Sequence, residues 1–118
     1  MANAIVWCDI PVKDLDRAIT FYSEVLGKSV SKEAFGDVSF GLLPLEGESV
    51  GGCLIIGPKP STDGPMIYMN CNQRLDAAIT AATKNGGKVL EPKHQIGPHG
   101  FRAIILDSEG NRIALHSK

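Results

Sequence analysis

The strongest constraint on this chain is an internal repeat. Leu15, Asp16, Ala18, Ile19 and Thr20 return as Leu75, Asp76, Ala78, Ile79 and Thr80, and Gly27-Lys28 returns as Gly87-Lys88. All seven pairs are sixty residues apart. Self-similarity at a fixed period, at the same place in the element order, marks a duplicated supersecondary unit. A chain of 118 residues has room for one domain, so the two copies must share it.

The first copy begins with Val6-Trp7-Cys8-Asp9-Ile10. Alternation puts Val6, Cys8, Ile10 and Val12 on one face of a strand, and Trp7 and Asp9 on the other. Pro11 ends the strand or sits at a sheet edge. Asp14 is placed to cap a helix whose apolar face is Leu15, Ala18, Ile19, Tyr22, Val25 and Leu26, and Gly27 supplies its left-handed stop. Three short strands follow, near 28–34, 37–43 and 50–56, with turns at Gly36-Asp37 and Glu46-Gly47-Glu48. The Pro/Gly-rich stretch Gly57 to Pro65 continues neither a helix nor a central strand.

In the second copy, Ile67-Tyr68-Met69-Asn70-Cys71 matches the first strand with one extra residue of offset, pairing Tyr68 with Trp7 and Asn70 with Asp9. A one-residue slip would bury Tyr68, Asn70 and Asn72, desolvating polar groups at about a few kcal/mol. After the helix, 88–96 and 100–106 read as strands around the turn Gly97-Pro98-His99-Gly100. Asp107 to Asn111 is the next turn. In the last strand, Arg112 to Ser117, Ile113 and Leu115 face the helix and Arg112, Ala114 and His116 face away. The pattern is α+β: a single domain, 1–118, of two tandem βαβββ modules, about 1–56 and 66–118, joined by a linker at 57–65.

Composition excludes several function classes. The formal charge is −1 and the basic residues are scattered, so no stripe suits nucleic acid. No apolar run reaches the roughly 18 residues that span a bilayer. The start, Met1 to Val6, lacks the basic flank and long apolar run of a signal peptide, which points to the cytoplasm. Cys8, Cys53 and Cys71 form no C-x-x-C and read as reduced, buried small hydrophobes; Cys53, whose face the pattern leaves open, would be a nucleophile if it pointed away from the helix.

Two segments carry a family resemblance. Ile10-Pro11-Val12-Lys13-Asp14-Leu15-Asp16-Arg17-Ala18, then Phe21-Tyr22 and Leu26-Gly27, resembles the opening of vicinal oxygen chelate proteins, the glyoxalase, bleomycin-resistance and extradiol-dioxygenase superfamily. Ile96-Gly97-Pro98, Asp107-x-Glu109-Gly110-Asn111-Arg112-Ile113 and Leu115-His116-Ser117 resemble the close of its lactoylglutathione-lyase-related branch. The resemblance spans essentially the whole chain. It implies a cupped mixed sheet with helices outside, a small-molecule ligand in the cup, and a homodimer whose modules can exchange between copies.

The resemblance also implies a divalent metal held by His and Glu side chains from the first and last strand of each module, polarising vicinal oxygens. Here those positions hold Trp7, Tyr68, Ala114 and a residue within Gly51 to Leu54. None is a normal metal ligand, so no cofactor is expected. A divalent ion would need non-standard ligands, for which His94, His99 and His116 are the available imidazoles. Trp7 and Tyr68 are candidates to grip a flat or apolar ligand, or to fill the cup themselves. Asp9 and His116 are the candidate acid–base pair, and Asn70, Arg112 and Ala114 candidate ligand contacts. Two functions stay open: a metal-independent lyase or isomerase, and a non-catalytic protein that sequesters a drug or metabolite.

Overall fold

Each copy of the repeat builds its own four-stranded mixed sheet with one helix. The structure, a computed structural model, describes residues 3–47 and 49–118; Met1 and Ala2 of the expected N-terminal reading, and Glu48 of the expected turn, lie outside the described residues. Module 1 comprises β1 (Trp7–Val12), α1 (Leu15–Leu26), β2 (Ser31–Phe35), β3 (Val38–Leu42) and β4 (Gly51–Ile56). Module 2 comprises β5 (Ile67–Asn70), α2 (Leu75–Lys84), β6 (Lys88–Gln95), β7 (Phe101–Leu106) and β8 (Arg112–Ser117), with a 3₁₀ turn at Gly97–His99. The strand orders are the same, β1-β4-β3-β2 and β5-β8-β7-β6. In each, the first strand runs parallel to the last, and the other pairs are antiparallel.

The expected α+β pair of βαβββ modules is therefore present. The two sheets stay separate, and β1 and β5 are both edge strands. That explains the tolerated Pro11 in β1, and Pro92 sits likewise in the opposite edge strand β6 beside a register shift.

Within β1 the alternation is as expected, with Ile10 and Val12 buried and Trp7 and Asp9 exposed; Val6, expected on the face of Ile10, instead precedes the strand and is exposed. Asp14 caps α1, its carboxylate accepting from the Arg17 amide at 3.1 Å. One core joins both helices to the helix-side faces of both sheets, through Ile10, Val12 and Leu54 of module 1 and Met69, Cys71, Ile105, Ile113 and Leu115 of module 2. Phe21 and Tyr22 of α1 are fully buried in it. Burying two such aromatics contributes roughly 2–3 kcal/mol each.

The repeated glycines do different jobs. Gly27 ends α1 with φ of 67°, as expected of a left-handed stop. In module 2 the left-handed residue is Gly86, with φ of 95°. Gly87 instead lets backbone and ring close in: a Cβ there would lie 2.7 Å from the Leu106 carbonyl, 2.8 Å from that of Ala82 and 2.9 Å from the Phe21 ring.

The modules are clasped by the turn between β7 and β8. Glu109 has a fully buried side chain. One of its oxygens accepts from the Lys13 and Asp14 amides, both at 2.8 Å, and from Arg17 Nη2 at 2.9 Å; the other accepts from Arg17 Nε at 2.7 Å. A carboxylate from module 2 thus completes the N-terminus of the module 1 helix. Burial alone would raise its pKa, but the Arg17 guanidinium, the Asp14 amide, the Ser108 hydroxyl and the Lys13 amide outweigh burial and hold it at about 2. Beside it, buried Asp107 accepts from the Tyr22 hydroxyl and from the Glu109 and Asn111 amides. Burial, then Asp107, pushes the Tyr22 phenol well above its ordinary value. Asn111 donates to the Pro11 carbonyl at 2.7 Å and accepts from the Ser61 amide, which ties the linker to the same turn.

Candidate functional site

Strand parity assigns the expected site residues to the faces of the two sheets turned away from the helices. Strand register places Trp7 beside Gly51 and Asp9 beside Cys53 in module 1, and Tyr68 beside Ala114 and Asn70 beside His116 in module 2. The counterpart of Ala114, expected within 51–54, is thus Gly51, and the counterpart of His116 is Cys53. The small residues leave the aromatics standing free: Trp7 is 45% exposed and Tyr68 46%. A side chain at Gly51 would meet the Trp7 ring at 3.0 Å.

Module 1 presents a compact polar group. The Trp7 indole donates to Asp9 Oδ1 at 3.1 Å, and the Cys53 thiol donates to the same oxygen at 3.2 Å. Asp9 therefore holds Trp7 in place with one oxygen and leaves the other free. Burial, followed by the hydrogen bond to Asp9, pushes the Cys53 thiol up to about 11. Cys53 does point to the cup side, but as a protonated thiol. Labelling with a disulfide reagent at pH 7.5 is expected to run about a hundredfold slower than for an ordinary thiol, and Asp9→Asn to speed it. Labelling at the rate of a free thiol would contradict this geometry.

Module 2 presents a longer network. Arg102 lies between Tyr68 and His94: its Nη1 donates to the Tyr68 hydroxyl, and its Nε donates to His94 Nε2 at 3.0 Å. Accepting there leaves the His94 proton on Nδ1, which donates to the Pro92 carbonyl at 2.9 Å. The Tyr68 ring meets the His116 ring edge-on, with centroids 6.1 Å apart, and His116 Nε2 donates to the His99 carbonyl at 2.7 Å. Arg102 was not among the expected residues, although it shares strand parity with Ile104 and therefore the cup side.

Two expected residues stand aside. Arg112 turns to the linker, donating from Nη2 to the Gly64 carbonyl at 3.2 Å and from its amide to the Ser61 carbonyl. Asn70 spends its side-chain carbonyl on the Asn72 amide, leaving its NH₂ free. Among the described residues, no hydrogen bond or ion pair joins the Trp7–Asp9–Cys53 group to the Tyr68–Arg102–His116 group. A separate cleft of about 600 Å³ runs between the modules. It touches Tyr68 and Asn70 and is lined by Leu26, Leu43, Ile67 and Met69, but it reaches none of Trp7, Asp9, Ala114 and His116.

The donor set does not fit a metal. The positions where the resemblance implies metal ligands hold an indole, a phenol, a methyl group and, at Gly51, no side chain at all. Among the described residues, no three His, Cys, Asp or Glu side chains gather around one point, and His94 and His116 are engaged elsewhere.

Residues 4–115 match the model of the glyoxalase/bleomycin resistance protein/dioxygenase superfamily. The chain belongs to that superfamily. It is 32% identical over 117 residues to a glyoxylase-like domain-containing protein of Didymella fabae, covering 91% of this chain and 88% of that one. Among solved structures it is similar to a glyoxalase/bleomycin resistance protein from Albidiferax ferrireducens, with a TM-score of 0.76 and 20% identity over 98% and 99% of the two chains. It is also similar to the fosfomycin resistance protein FosX from Mesorhizobium loti, with a TM-score of 0.69 and 17% identity over 100% and 94%. At these identities the solved structures establish a shared fold. Among the described residues, no helix is long and apolar enough to cross a membrane.

Proposed function

We propose that this superfamily member is a cytoplasmic protein that binds a small molecule between cup faces walled by aromatics, without the usual metal centre. The observation that carries this reading is the pair of equivalent positions Trp7 over Gly51 and Tyr68 over Ala114, where half-exposed rings stand beside small residues. Such rings grip flat or apolar ligands. Each face is half a cup, and the edge strands β1 and β5 are free. Ile5, Val6 and Trp7, at and just before the start of β1, are exposed. A second copy completes the site by setting module 1 of one chain against module 2 of the other.

Turnover in such a cup falls to Asp9 and His116. Asp9 has one unused carboxylate oxygen to take a proton, and His116 one unused ring nitrogen to deliver or accept one. That is lyase or isomerase chemistry. Sequestration without turnover is the second reading, and the bond from Trp7 to Asp9 favours it: the carboxylate already serves to position the binding ring.

Trp7 is the only tryptophan, so its emission reports on the cup. A screened metabolite that shifts this emission in the wild type but not in Tyr68→Ala is expected. If it is converted, Asp9→Asn and His116→Ala should each lower kcat on the order of a hundredfold; a ligand recovered unchanged establishes sequestration. A monomer by sedimentation, together with a Trp7 emission that no ligand moves, would sink the shared cup.

A further inference from the structure

Arg102 is held rather than merely exposed. Its Nε rests on a neutral imidazole nitrogen of His94 and its Nη1 on the Tyr68 hydroxyl, and its guanidinium carbon lies 6.0 Å from the Tyr68 ring centre. Among the described residues, no carboxylate lies within ion-pair distance of it; the four ion pairs use Arg17, Lys28, Lys32 and Lys93. Glu91, the acid nearest in strand register, stands opposite Ile104 and makes no such pair. A guanidinium has five N–H donors, and two are spent. The Tyr68 hydroxyl accepts from Arg102, so its own proton remains to be given. The free NH₂ of Asn70 lies beside His116 in the register.

We propose that Arg102, with Tyr68 and Asn70, is the binding site for a small oxyanion, the carboxylate or phosphate of the ligand that enters the cup. The proposal rests on the reading of this sheet face as a ligand surface and adds the charge of the ligand. Three features carry it. Among the described residues no carboxylate neutralises the guanidinium, so an anion gains a charge-assisted contact without displacing one of them. It is fixed by two hydrogen bonds, so little side-chain entropy is lost when the anion arrives. Its neighbours Ile104 and Ala114 are 5% and 0% exposed, and a dehydrated floor strengthens the attraction above it. His94 then has a role that metal ligation does not give it: it is the acceptor that orients Arg102.

The experiment is a titration of the full chain followed by the amide resonances of Arg102, Ala114 and His116, with benzoate, inorganic phosphate and neutral benzamide as probes. At least one anion is expected to shift these resonances saturably, with benzamide tenfold weaker or more. Benzoate alone identifies a carboxylate site, and phosphate alone a phosphate site. Arg102→Gln should weaken the anion at least tenfold, and Tyr68→Phe about fivefold, each with the rest of the amide spectrum unchanged. Equal binding to Arg102→Gln, or no saturable shift with either anion, overturns the proposal. The signal is local to module 2, so it reads out even if the shared cup fails. A neutral ligand that moves Trp7 emission while both anions are silent overturns the anion site and leaves the cup standing.

Discussion

Replacing Glu109 with glutamine is expected to lower the unfolding free energy by about 3 kcal/mol at neutral pH. Glu109 is a buried charge that one module lends to the other, and it satisfies the Lys13 and Asp14 amides just before α1 together with Arg17. Glutamine keeps one acceptor, brings a donor to face Arg17 and removes the charge. The size follows from linkage. The carboxyl sits at about 2, against 4.5 for an ordinary glutamate, and each unit is worth about 1.4 kcal/mol. The sign follows too. A carboxylate held low stabilises fully above its unfolded value and loses that contribution as pH falls toward its folded value. Urea unfolding should therefore show the largest gap between wild type and Glu109→Gln at pH 7. The gap should narrow between about pH 5 and pH 2. A difference under about 1 kcal/mol, or one that does not change with pH, would refute the clasp.

That clasp also shows what the sequence does and does not make legible. The modules, their strands and the register of Tyr68 against Trp7 follow from the repeat and from alternation, because both are local patterns. The segment Asp107 to Asn111 was readable as a turn, but its task was not. Glu109 finds its partner 92 residues away, and nothing in the spacing of a turn names a distant helix terminus. The site divides along the same line. Trp7, Asp9, Tyr68, Ala114 and His116 lie on strands whose inward face is unambiguous, and they do share the cup side. Arg102 lies on a strand of the same quality, and its parity with Ile104 was available. What was missing was its company: His94 faces Arg102 close to the turn at Gly97–His99, but facing strand positions do not show that the Arg102 side chain reaches both His94 and Tyr68. Arg112 shows the converse. Its parity is right, yet the linker carbonyl of Gly64 draws its guanidinium aside.

Gly27 and Gly87, identical in the repeat, should respond differently to the same substitutions. At Gly27 the difficulty is the backbone. Its φ is positive, while a Cβ would meet mainly the end of the Arg74 side chain, which can move. Asparagine tolerates the left-handed region, so Gly27→Asn should cost under about 1 kcal/mol and Gly27→Ala about 1 kcal/mol. At Gly87 the difficulty is space. A Cβ would press on two carbonyl oxygens and the Phe21 ring from the other module, none of which can move without opening the core between the helices. Gly87→Ala is therefore expected to cost about 3 kcal/mol, and Gly87→Asn at least as much, since backbone tolerance is no help there. Thermal unfolding of the four variants decides it. If asparagine relieves both sites equally, the second glycine is only a helix stop, and the close approach of Phe21 to Gly87 is not what joins the modules. If it relieves Gly27 alone, duplication preserved a residue while the packing between copies gave it a new reason to stay.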